Sequence, residues 1–333
     1  MSIKNVVNRA LDCLFSCQTN NCMGTRAGAI FFVILTTRDA EVMNRYKAAV
    51  LLLTTTFFWG VTFTVVKQSV ETVDVFVFLA QRFLLAFVFI LPIGICKGKQ
   101  LNIRTIIQGV IMGGFLFGAY AFQTMALLYT SASNTGFLTG LNVVMVPVFA
   151  AFALKYQVST RVKAAVVLAV VGLFLLCGGG TWHINYGDAL AALCAVCVSL
   201  HLIWTGEAVR HHDYYWLTVV QLGVVAFLSY SMAYVRGKEV FVWYPHLLIP
   251  LLVCSLIATV FAFLVQTSMQ RYISHTNTAL IFCTEPVFAA IYARLVLGER
   301  LGGFGIAGAI FVLGAMLISI SPVKLNKPGS SEA

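Results

Sequence analysis

Charge is what this chain has least of. Asp, Glu, Lys and Arg make up 10% of its 333 residues, against 60% hydrophobic residues. A water-soluble domain carries about 25% charged residues, so this chain lacks the polar side chains to cover a globule. Proline is also scarce, at 7 residues, so long apolar runs go uninterrupted. Those runs approach the ~20 residues that cross a hydrocarbon core. Missing motifs narrow the function further. There is no Walker A string, so ATP is not the direct energy source, and no P-loop lysine follows the glycine-rich stretches. No His-x-x-Glu-His, Gly-x-Ser-x-Gly or paired-aspartate motif supplies an intramembrane nucleophile or metal site. Cys13, Cys17 and Cys22 have no histidine at zinc-ligand spacing, and the Cys194/Cys197 pair lies in an apolar helix, where small core side chains are the simpler reading. No cofactor or metal is expected. The net charge of +10 comes from basic residues scattered through short loops, which suits anionic lipid and not nucleic acid.

What is present is a series of apolar segments, read as ten spans at approximately 46–66, 74–95, 105–128, 132–154, 162–179, 185–208, 214–235, 245–270, 275–297 and 303–321. Charges and turn residues gather between them, as at Lys97-Gly98-Lys99, Gly178-Gly179-Gly180, His211-His212-Asp213, Arg236-Gly237-Lys238 and Gly298-Glu299-Arg300. The fold class expected is an all-α membrane protein. With the N-terminus inside, inner segments hold about sixteen Lys and Arg and outer loops about five, which places both termini in the cytoplasm. Residues 1–42 fall outside this plan. Ala27–Leu35 is too short to span. Either the segment is a cytoplasmic or interfacial extension, or translation begins at Met43, with Met43–Lys47 as a short basic leader; the second reading is favoured. Residues 322–333 form a polar tail.

The chain also repeats itself. Gln123-Thr124, Tyr129, Ser131 and Asn134-Thr135 recur as Gln266-Thr267, Tyr272, Ser274 and Asn277-Thr278. Pro147–Ala151 recurs as Pro286–Ala290, with about one extra helical turn before the first proline. Residues 46–180 and 185–321 are therefore read as two five-helix copies. Because each copy has an odd number of helices, the second enters the membrane from the other side, giving a 5+5 inverted repeat.

On these motifs the chain resembles the EamA branch of the drug/metabolite transporter superfamily. The resemblance covers about 46–321 and rests on Phe58-Trp59-Gly60, Arg82-Phe83, Asn277-Thr278-Ala279-Leu280, Glu285–Ala290 and Leu297-Gly298-Glu299-Arg300. The first copy departs from the pattern: Val146 stands before Pro147, and the following turn reads Lys155-Tyr156-Gln157. The resemblance implies a carrier in the cell (inner) membrane, often an exporter of amino acids, metabolites or drugs, without fixing the substrate. Its partners would be a small molecule and the bilayer, with proton coupling possible. The alternatives are an intramembrane enzyme and a non-transporting sensor or assembly subunit, which want a catalytic cluster or a sizeable soluble domain.

Ionisable groups at membrane depth are costly and invite a functional reading. Glu285 lies about eleven residues into its span, near ~16 Å at helical rise and so near the midplane. It is a candidate to take up a proton or hold a cationic amine; the plainer alternative is a hydrogen bond that supports the break at Pro286. Arg82 is a candidate to bind a carboxylate or pair with Glu285, or else to satisfy backbone carbonyls. His201 is a candidate proton relay or a neutral core histidine. Pro147 and Pro286 each remove a helix hydrogen bond and are read as paired helix breaks beside a central site, or as packing kinks. Gln123, Asn142 and Gln266 can line a cavity or bond helices together. Asn142, read as unrepeated, is the better candidate for substrate contact. Trp59, Tyr120 and Trp204 are candidate aromatic walls, with ordinary packing as the alternative.

Overall fold

The computed structural model describes residues 45–96, 101–130, 132–155, 158–177, 185–241, 245–296 and 302–320. The 1–42 extension, the 322–333 tail and the turns at Lys97-Gly98-Lys99, Gly178-Gly179-Gly180 and Gly298-Glu299-Arg300 lie outside those residues. Most of the described residues are helical, with no strand among them. Nine of their helices are long and apolar enough to cross a bilayer. A tenth, Thr160–Leu176, has 17 residues and falls where the fifth span is expected.

Spans one to three are the continuous helices Arg45–Thr72, Val75–Cys96 and Ile103–Tyr129. Span four is two pieces, Ala132–Gly140 and Asn142–Leu154. Spans six and seven are Tyr186–His211 and Tyr214–Val235. Span eight runs from Pro245 to Met269 but winds as a π-helix over Val253–Phe261. Span nine is again two pieces, His275–Phe282 and Glu285–Val296, and span ten is Gly303–Ile320.

Local chemistry sets many of the ends. Asn102, Ser159, Asp213 and Ser274 each accept a backbone N–H from the first turn of the helix they precede. Asn185 and Asp188 form a capping box at the start of span six. Inside span one, the hydroxyls of Thr54, Thr55, Thr56, Thr62 and Ser69 donate to carbonyls four residues back, so these polar groups are satisfied within their own helix.

Small residues decide where helices meet. Gly172 of span five and Gly308 of span ten lie backbone against backbone: a Cβ on Gly172 would meet the Gly308 carbonyl at 2.9 Å. The neighbouring core is Val143, Ala165, Ala169, Leu173, Val312 and Ala315. Gly60 lets span one reach the start of the second piece of span nine, where a Cβ would fall 2.8 Å from the Glu285 carbonyl. Gly114, Gly302 and Gly303, by contrast, face open space.

Candidate functional site

The breaks in spans four and nine occupy matching places. The first lies at Leu141, the second at Cys283-Thr284. The Gln pair is 266 − 123 = 143 residues apart, and the same offset carries Leu141 onto Thr284 and Asn142 onto Glu285. Asn142 and Glu285 thus each open the second piece of a broken span. This corrects two expectations. Asn142 has a counterpart, and it is Glu285. And the discontinuity in span four is not at Pro147, which lies inside the continuous helix Asn142–Leu154. Pro286 does sit at its break, one residue past the start of its piece. The difference is the extra turn: Pro147 follows Asn142 by five residues, Pro286 follows Glu285 by one.

Both opening residues face one cavity of about 1030 Å³, and it gathers nine of the eleven residues singled out from the sequence: Trp59, Arg82, Tyr120, Gln123, Asn142, His201, Gln266, Glu285 and Pro286. Pro147 does not line it. Neither does Trp204, which is 37% exposed and turns to span three, donating its Nε1–H to Gln108 Oε1 at 2.7 Å and packing on Phe115. His201 and Trp204 are three residues apart and share only roughly one helix side, so one turns inward and the other out.

The cavity has a direction. It takes in the C-terminal ends of spans one and five and the start of span ten, where Gln68, Glu71 and Phe304 are exposed at its rim. Along span one it runs from Glu71 to Trp59, or about 18 Å at helical rise. At the opposite end the chain is packed shut. Gln270 Nε2 donates to the Leu202 carbonyl at 3.2 Å, and His275 Nε2 meets Glu207 Oε1 at 3.0 Å. The Glu207 carboxylate also pairs with Arg210 at 3.1 Å, and the His275 ring lies against Gly206.

The π-helical turn of span eight builds the wall beside Glu285. The Ala258 carbonyl accepts from Trp59 Nε1 at 2.8 Å and from Arg82 Nη2 at 3.3 Å. Arg82 Nε donates to Thr259 Oγ1 at 2.9 Å, and Thr259 donates on to the Cys254 carbonyl, five residues back, at 2.8 Å. Arg82 Nη2 also lies 3.4 Å from the Tyr120 hydroxyl, and its guanidinium carbon stands 4.9 Å from the Tyr120 ring centre. Arg82 is 3% exposed. The expected pairing with Glu285 is not made: among the described residues the two form no ion pair, because span eight supplies Arg82 with its partners. π-Turns are frequent at functional sites, but Val253–Phe261 is a mainly apolar run broken only by Ser255 and Thr259, so nothing in its composition announces one.

On the facing wall His201 belongs to a buried chain of polar groups. Gln221 bridges Thr267 Oγ1, 3.2 Å from its Nε2, and His201 Nε2, 2.8 Å from its Oε1. Gln266 Nε2 lies 3.5 Å from His201 Nδ1, and Gln266 Oε1 has no protein donor. Asn142 Oδ1 has none either. Thr267, Gln221 and the span-eight turn are site-building residues the sequence did not single out; the repeated Gln-Thr pair was the available signal.

No cluster of metal-ligating side chains occurs among the described residues. Comparison with known proteins agrees with the geometry. The model of the EamA-like transporter family matches twice, over 46–178 and 185–321. An uncharacterized transporter of Archaeoglobus fulgidus is 30% identical over 279 residues, covering 84% of this chain and 87% of the relative. A second from the same organism is 24% identical over 82% of this chain, and YyaM, an uncharacterized transporter of Bacillus subtilis, is 24% identical over 87%. A solved crystal structure superposes with a TM-score of 0.71 at 18% identity, covering 83% of this chain and 99% of that one, a likeness of fold. With the family model matched across both halves and a relative at this identity along most of its length, the chain belongs to the EamA-like transporter family.

Proposed function

We propose that the chain is a secondary carrier that moves a small organic molecule through the Glu285 cavity by alternating access, in the direction of export, across the cell (inner) membrane. The observation that carries this reading is the cavity itself: it is lined by both halves of the chain, reaches the surface at one end and is packed shut at the other. Such a site, between two repeated bundles and beside broken helices, is the arrangement that rocking of one bundle against the other exposes to each side in turn. The double match of the family model supports reading 46–180 and 185–321 as the two copies of a 5+5 inverted repeat. The Lys/Arg distribution supports cytoplasmic termini, which puts the cavity mouth on the outer face.

Glu285 is the proposed coupling group. Its carboxylate lines the cavity with no hydrogen-bond or ion-pair partner among the described residues, so its charge is free to be cancelled by a proton or by a substrate. The test is exchange by purified full-length protein in liposomes preloaded with pooled amino acids and metabolites, with and without a pH gradient. Saturable exchange whose dependence on the gradient disappears in Glu285→Gln supports the proposal. Gradient-driven exchange unchanged by that substitution removes Glu285 from the coupling.

A further inference from the structure

We infer that the cavity recognises a protonated amine carried on an apolar, aromatic body, and does not require a carboxylate on the same molecule. The inference rests on reading the cavity as the substrate site. It starts from the acceptor that the walls leave open. The Glu285 carboxylate lines the cavity with no hydrogen-bond or ion-pair partner among the described residues. The Oε1 of Gln266 and the Oδ1 of Asn142 also lack protein donors, but both are sealed from solvent and so from a ligand. A ligand that satisfies Glu285 brings hydrogen-bond donors and a positive charge, and an ammonium group supplies three N–H donors and no acceptor.

The opposite requirement is poorly met. A carboxylate on the ligand would need a free cationic fork. Arg82, the buried cation on the lining, has its Nε and Nη2 on Thr259, Ala258 and Tyr120, which leaves Nη1 alone without a partner among the described residues. To grip a carboxylate with two nitrogens it would have to leave the Ala258 carbonyl that Trp59 also uses. Lys67 is the other cation on the lining, and it stands at the mouth, eight residues along the helix from Trp59. Much of the remaining surface is apolar and aromatic, with Trp59, Phe63, Phe263 and Phe282 among the walls beside polar side chains such as Gln123 and Thr139. Trp59 packs 5.0 Å from Phe282 and 5.6 Å from Phe263, a continuous ring surface on which an aromatic body can lie and which favours a neighbouring cation.

The experiment is binding to the full-length protein in lipid nanodiscs, using ligand sets that share a ring and differ only in charge: 2-phenylethylamine, 3-phenylpropionate and phenylalanine, and tryptamine, indole-3-propionate and tryptophan. The expected result is saturable binding of an amine, absent for the matched acid, and weakened about ten- to a hundredfold in Glu285→Gln. Circular dichroism and unfolding temperature show that the variant is folded. The inference is overturned if no amine binds, if the acids bind as tightly as the amines, if the amino acids bind at least tenfold tighter than the amines, or if folded Glu285→Gln binds the amine as wild type does. An amine that binds but is not exchanged in liposomes leaves the recognition standing and overturns the carrier reading, so the two failures are distinguishable.

Discussion

Gly60 offers a sharp test of how the site is assembled. A Cβ added there would lie 2.8 Å from the Glu285 carbonyl and the Phe288 Cβ and 2.9 Å from the Ala289 nitrogen. Ordinary contacts begin near 3.4 Å, and the atoms in the way are mostly backbone, so the second piece of span nine must shift by about half an ångström or more. Gly60→Ala gains about 0.5–1 kcal/mol in helix propensity and loses about 1–3 kcal/mol to overpacking. Gly114→Ala, where nothing lies within 4 Å, takes the propensity gain without the clash. The two variants should therefore differ by about 1–3 kcal/mol, with Gly114→Ala at or above wild type. Because the displaced atoms carry Glu285, Gly60→Ala should also weaken tryptamine binding several-fold while Gly114→Ala leaves it unchanged. Thermal unfolding in detergent, followed by circular dichroism, reads the first effect; binding in nanodiscs reads the second. Equal unfolding temperatures and equal affinities for the two variants would refute the reasoning that Gly60 seats Glu285.

Other outcomes follow from the same geometry. Thr259→Val removes the acceptor of Arg82 Nε and should cost about 1–3 kcal/mol, with Thr259→Ser restoring most of it, read by unfolding temperature. Trp204→Phe, which alters a side chain outside the cavity, should leave amine affinity within twofold of wild type, whereas Trp59→Phe should lower it by breaking the Ala258 contact; titration of both in nanodiscs separates them. In the proposed orientation, Phe304→Cys at the rim should label with a membrane-impermeant maleimide from the outer face, and Thr276→Cys at the packed end should not; mass spectrometry of sided vesicles reads the pattern.

Much of this could be read from residue order alone, for identifiable reasons. Span lengths were legible because a bilayer sets the length of each apolar run, and the breaks between runs carry charge or glycine. The cavity residues were legible because polar and ionisable groups are rare at that depth, so Glu285, Arg82 and Gln266 stood out against an apolar background. The break in span four was misplaced because proline is a louder signal than Leu141, and aligning Pro147 with Pro286 uses an offset of 286 − 147 = 139 that hides the match of Asn142 to Glu285 at 143. The π-turn left no mark, since an extra residue in a helical turn depends on what packs against it, here Arg82 and Trp59 from two other helices. The direction of Trp204 was beyond reach for the same reason: a position one turn from His201 does not say which neighbour its ring will meet.

The central claim is that one cavity serves both sides of the membrane in alternation. The most direct measurement is trans-stimulation in liposomes: initial uptake of labelled tryptamine by the reconstituted protein, with and without unlabelled tryptamine inside. A carrier of this kind predicts saturable uptake that accelerates when substrate waits on the far side, because the loaded site returns faster than the empty one, and loss of that uptake in folded Glu285→Gln. Uptake that rises linearly with concentration and ignores the internal pool would contradict alternating access through the Glu285 cavity.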